Sequence, residues 1–183
     1  MNRLTKTLLV LAASAALALP VSAQQNRVNS TGGRSPHETT STVIDGNRVT
    51  ITYGRPQTND RKIWGGLVPY GKAWRMGADE ATTLITQQPI VIGGVTVPAG
   101  AYTLYMVPEE NGPSKLAISK RIGQWGVPVD EKNDLARVDL TKTTIDKDPG
   151  LFTMAVQRNP AGGGIIKASW ENAEFSVTFT VQK

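Results

Sequence analysis

Three arginines, Arg55, Arg61 and Arg75, fall in one glycine-broken stretch beside Trp64, Tyr70, Trp74 and the acidic pair Asp79 and Glu80. A guanidinium is a planar fork of N–H donors that stays charged at any physiological pH. It suits bidentate recognition of a carboxylate, phosphate or sulfate. The same residues have a second reading, in which the arginines pair with Asp60, Asp79 or Glu80 and pin the stretch to the rest of the fold. Under the first reading the ligand-binding set is Arg55, Arg61, Trp74, Arg75, Asp79, Glu80 and Tyr102. The arginines would hold an anionic group, and Trp74 and Tyr102 would form a wall. Trp64, Tyr70, Trp74 and Trp125 could also stack on sugar rings, or form a satellite core beneath the loop.

Other chemistry has less to stand on. His37 lies near Ser35 and Ser41, but nucleophilic catalysis needs an oriented base and a placed nucleophile, and no G-x-S-x-G motif occurs. Asp79 or Glu80 with Glu171 would supply the two carboxyls of a glycan hydrolase if the fold brought them to the right separation. Asp130, Glu131, Asn133 and Asp134 are rich in oxygen, yet lack the regular alternation and central glycine of the calcium-binding loop. Gly162-Gly163-Gly164 has no strand-to-helix setting, so it is not a phosphate loop, and no cofactor or metal motif stands elsewhere. With no cysteine, thiol catalysis and Cys-ligated metals are excluded, and with a single histidine so is any site needing two.

Residues 1–23 read as a cleavable export signal. Arg3 and Lys6 precede an apolar run from Leu8 to Leu19, and Val21 and Ala23 sit in the small-residue cleavage positions. The run is shorter than the roughly 20 residues a bilayer span needs. Periplasmic or extracellular localisation follows, for a chain whose core must hold without disulfides. Without Arg3 and Lys6, 18 basic residues face 15 acidic ones. That balance is too mild to argue for nucleic acid or an anionic membrane, and it leaves an anionic or carbohydrate small molecule as the partner.

The elements that must position the arginines are short strands. Residues 24–36 are polar with one apolar side chain, Val28, and read as a flexible tail. A domain follows over residues 37–183. Asp45-Gly46-Asn47 supplies a tight turn, after which Val49, Ile51 and Tyr53 alternate with polar residues. A long ordered loop runs from Gln57 to Ala81, with a helical turn expected near residues 78–82. Gly93-Gly94 joins two further strands, and Tyr102, Leu104 and Met106 share one face of the next. Phe175, Val177, Phe179 and Val181 alternate in the last. Eight to ten short antiparallel strands without a long amphipathic helix predict an all-β, single-domain β-sandwich, with a small β-barrel as the alternative.

Tyr53-Gly54-Arg55-Pro56, Arg61 with Gly65 and Leu67, Ala73-Trp74-Arg75-Met76-Gly77-Ala78 and Ala81-Thr82 also carry a resemblance. So do Gly93-Gly94, Pro98-Ala99-Gly100-Ala101-Tyr102-Thr103-Leu104, Pro108 and Trp170-Glu171. In these residues the chain resembles the bacterial family known as domain of unknown function 2911, over about residues 35–182. The resemblance implies export and a β-rich single domain, and places the Arg- and Trp-bearing loop in the family pattern. It carries over no activity, cofactor or ligand. The residues together point to a non-catalytic ligand-binding or envelope-interaction module, the alternative being a carboxylate-dependent hydrolase of glycans.

Overall fold

The computed structural model describes residues 28–31 and 35–183. The leader expected over 1–23, and residues 24–27 and 32–34 of the expected tail, lie outside them. Among the described residues the chain is all-β, with twelve strands and one 3₁₀ turn, Glu131–Asn133. The expected helical turn near residues 78–82 is absent, because Asp79 takes a left-handed φ of 63° that breaks the right-handed run.

Strands β1 (Val28–Thr31), β2 (Pro36–Ile44) and β3 (Asn47–Gly54) come first, followed after the long loop by β4 (Thr82–Thr86). The short pair β5 (Ile90–Ile92) and β6 (Val95–Val97) leads to β7 (Gly100–Val107) and β8 (Ser114–Ser119). Then come β9 (Asp134–Thr144), β10 (Thr153–Arg158), β11 (Gly164–Trp170) and β12 (Ala173–Val181). Part of the expected tail is therefore a strand: Val28–Thr31 runs antiparallel to Pro36–Thr39. A backbone ladder needs no apolar side chains, which is why composition gave no sign of it.

The strands follow the order β1-β2-β3-β4-β7-β8-β9-β12-β11-β10, while β5 pairs with β12 and β6. Strand β9 turns the corner. Its first part, Asp134–Leu140, pairs with β8, and Thr141–Thr144 pairs with the start of β12. The sheet thus rolls into a nearly closed barrel, a shape that also fits a sandwich with shared strands. Period-two alternation sends one set of side chains inward. Val49, Ile51 and Tyr53 of β3, Leu104 and Met106 of β7 and Phe175 and Phe179 of β12 all lie in one buried cluster. No helix among the described residues is long and apolar enough to cross a membrane.

Closure is made by side chains. No backbone ladder joins β10 to β2 among the described residues, although the two strands lie side by side. Thr42 Oγ1 instead donates to the carbonyl of Val156 at 2.7 Å, and Arg55 Nε donates to that of Phe152 at 3.2 Å. Tyr53 Oη accepts from the Met154 N–H at 2.8 Å and lies 3.2 Å from both the Met154 carbonyl and Glu38 Oε1. Arg55 also holds Glu38 Oε2 at 2.6 Å and Thr153 Oγ1 at 2.8 Å. Glu38 is only 2% exposed, so its carboxylate is met by side chains and not by bulk water. Removing Arg55 takes a charge-assisted hydrogen bond from that carboxylate, at a cost of about 1.5–3 kcal/mol. Arg55→Met is expected to lose stability on that scale in urea denaturation, and adding Glu38→Gln to recover part of the loss. Equal stability of Arg55→Met and wild type would contradict this account of the seam.

Candidate functional site

The loop between β3 and β4 is fixed by backbone bonds to distant strands. Trp74 exchanges two with Met106, at 2.7 and 2.8 Å, and the Gly71 N–H donates to the Pro108 carbonyl at 2.8 Å. At the loop's start the Thr58 N–H reaches the Gly150 carbonyl, and at its end the Gly126 N–H reaches the Asp79 carbonyl at 3.0 Å. Gly54 is required by close approach, since a Cβ there would lie 2.2 Å from the Ala78 carbonyl oxygen. At Gly126 a Cβ would lie 2.5 Å from Arg75 Cδ, so the stem of Arg75 fills that space.

Anchored this way, Trp74 points into the core. It stacks on Trp170 with centroids 5.6 Å apart and planes 19° from parallel, and meets Trp64 and Phe152 edge to face. Trp64 Nε1 donates to the Trp170 carbonyl at 3.2 Å. The aromatic residues of the loop are therefore chiefly core. Trp125 is the exception, 54% exposed on the loop after β8.

Above Trp74 and Trp170 lies a cleft of about 630 Å³. Arg61, Arg75 and Asp79 line it with the amides Gln57 and Asn59, and Leu67 and Val127 form its apolar rim. Arg75 Nε donates to the Gly77 carbonyl at 3.1 Å, which leaves both terminal nitrogens without a hydrogen bond among the described residues. Arg61 bends back onto its own loop, donating to the Thr58 carbonyl at 3.0 Å and to that of Gln57. Two polar atoms of the lining residues, Asp79 Oδ2 and Trp170 Nε1, are buried without a hydrogen-bond partner among the described residues. Such groups are uncommon in folded proteins, and each calls for an explanation. Backbone strain gathers here too. Asn59, Asp60, Met76 and Asp79 all have φ between 48° and 63°, and for the bulky Met76 that conformation is costly.

The remaining candidates lie elsewhere. Arg55 belongs to the seam, paired with Glu38 rather than with Asp60, Asp79 or Glu80. Tyr102 does not join Trp74 as a wall: it is 7% exposed and its hydroxyl donates to the Pro98 carbonyl at 2.9 Å. Inward-facing alternation along β7 turns its ring under the turn that precedes the strand, and burial raises its pKa. Glu80 lines a separate hollow with His37 and Thr52, its Oε2 lying 2.8 Å from His37 Nε2. No serine or threonine hydroxyl among the described residues bonds to His37, while Ser41 is paired with Thr50. Asp79, Glu80 and Glu171 line three different hollows. In the acidic loop, Asp130 pairs with Arg121 and caps the 3₁₀ turn, and Glu131 and Asp134 hold Arg137. Those partners are cationic side chains, and no metal-holding group of carboxylates occurs among the described residues.

Sequence reasoning missed Glu38, which sits inward with Thr40, Thr42 and Ile44 on a strand whose buried face is largely polar. It also missed Gln57, Asn59, Leu67, Val127 and Trp170 as lining.

Fold and cleft define a small all-β protein of barrel-like closure with a charged cleft on its surface. Residues 35–179 match the family described as protein of unknown function (DUF2911), and the chain belongs to it. No curated protein and no solved structure matches the chain.

The Glu80 carboxyl is held below its ordinary value of 4.5, chiefly by its own backbone N–H and next by the hydrogen bond with His37. A depressed carboxyl stabilises the fold above its unfolded value and loses that contribution as pH falls through the folded one. Wild type should therefore melt slightly above Glu80→Gln at pH 6–7. The gap should close as pH falls below about 4.5. It will be small because the side chain is exposed. Melts of both proteins from pH 3 to 7 measure it, and a gap that does not vary with pH would refute the linkage.

Proposed function

We propose that this protein is an exported, non-catalytic ligand-binding module of the cell envelope whose cleft takes a small organic anion. The carrying observation is the 630 Å³ cleft with Arg61 and Arg75 in its lining, both terminal nitrogens of Arg75 being uncommitted among the described residues. Ligand sites of this kind usually span about 300–1,000 Å³ and combine apolar walls with a few placed polar groups. The pattern of residues 1–23 supports export. A hydrolase of glycans would need paired carboxyls, and the cleft lining contributes one, Asp79.

Thermal shift tests the reading. Succinate, glucuronate, phosphate and acetate are screened against the purified protein and against Arg75→Met, which keeps the stem beneath Gly126 and removes the charge. An anion at about 100 times its dissociation constant stabilises by about 2.7 kcal/mol, a shift of several degrees for a domain this size. The expected result is a shift in wild type that Arg75→Met loses. No shift with any anion, or an equal shift in both proteins, would sink the proposal.

A further inference from the structure

The cleft carries charges of both signs that do not neutralise each other. Arg75 and Asp79 lie four positions apart on one loop and line the same cavity, yet no ion pair forms between them, nor between Arg61 and Asp79, among the described residues. Asp79 is the one acidic residue in the lining, and its side chain receives no hydrogen bond from the described residues. A simple anion would answer the two guanidiniums and leave Asp79 without a cationic partner. A neutral sugar would answer neither charge. Leu67 and Val127 add an apolar component: both line the cleft and both are about half exposed, at 47% and 51%. Large apolar side chains kept at the mouth of a charged cleft favour a ligand with apolar groups of its own.

From this complementarity, and resting on the anion-binding reading above, we propose that the ligand is a short zwitterionic peptide with apolar side chains. Its terminal carboxylate lies against Arg61 and Arg75 in the bidentate manner guanidinium favours. Its terminal ammonium lies against Asp79, and its side chains cover Leu67 and Val127. A single amino acid would leave much of 630 Å³ unfilled, whereas two or three residues fill it better. No bond is made or broken in this role.

Calorimetry with the purified protein tests the assignment, using the dipeptide Leu-Leu, its N-acetyl form, its C-terminal amide and glucuronate. Leu-Leu should bind, and blocking either end should weaken binding about tenfold, since each block leaves a charge of the site unanswered. Asp79→Asn should abolish the penalty of acetylation while leaving that of amidation. Asparagine tolerates the positive φ at this position, so the backbone is preserved. Arg75→Met should do the reverse. A melting temperature near that of wild type establishes that each variant is folded. Equal binding of Leu-Leu and its acetylated form, or loss of both penalties together in Asp79→Asn, would overturn the peptide assignment. Binding of glucuronate without Leu-Leu would also overturn it and leave the anion reading standing. No binding of any of the four would end both.

Discussion

A rolled sheet is closed only when the strands at its two ends satisfy one another, and here β2 and β10 lie side by side with no backbone ladder between them among the described residues. Strand β10 and the residue before it present the carbonyls of Phe152, Met154 and Val156, which lie against the donors Arg55, Tyr53 and Thr42 in turn. The buried Glu38 carboxylate ties two of these donors together. Everything inside the barrel depends on that seam, because the large aromatic residues stay dry only while it holds. Tyr53 takes part on both sides of the arrangement. Its ring meets Phe152 edge to face at 5.7 Å, and its hydroxyl is bonded within the seam. Buried polar networks of this sort are costly when half satisfied, so the seam also specifies which edges meet.

The cleft is the outer surface of that core. Trp170 and Trp74 form both the stacked centre of the aromatic cluster and the floor of the concavity. The floor is consequently as rigid as the interior, while the polar lining comes from a loop tied down at Trp74, Thr58 and Asp79. A ligand would find its polar partners already placed, which lowers the ordering entropy that binding must overcome.

Much of this was visible in the chain, and what was hidden was hidden for a physical reason. Alternation in Val49–Tyr53 and Phe175–Val181 is a local property, and those strands run where it predicted. The crowding of arginine and tryptophan in the β3–β4 loop is local too, and it marked the region of the cleft. Arg55 could not be separated from Arg61 and Arg75 in this way, because what commits it is Phe152 and Thr153, nearly a hundred positions away. Val127 and Trp170 likewise enter the cleft from segments far along the chain. Tyr102 and Trp74 looked like neighbours because both are aromatic and near the loop. Yet Trp74 pairs with Met106, and Tyr102, further back along the same strand, caps its own turn.

The separation of Arg75 from Asp79 needs a cause, since opposite charges four residues apart on a mobile loop would find each other. The backbone supplies it. Met76 and Asp79 are both held at positive φ, and Met76 is buried at 1% exposure, so the segment between the two charges cannot relax without withdrawing a side chain from the core. Thr82 Oγ1 donates to the Met76 carbonyl at 2.7 Å, and Gly126 and Gln124 bond the backbone of Asp79 and Ala81 from the far side. The close approach of Gly54 to Ala78 removes the remaining space. Strain of this kind persists only when its surroundings over-determine it. Here those surroundings are the seam and the aromatic core, which keep two charges of opposite sign on one cleft wall without letting them pair.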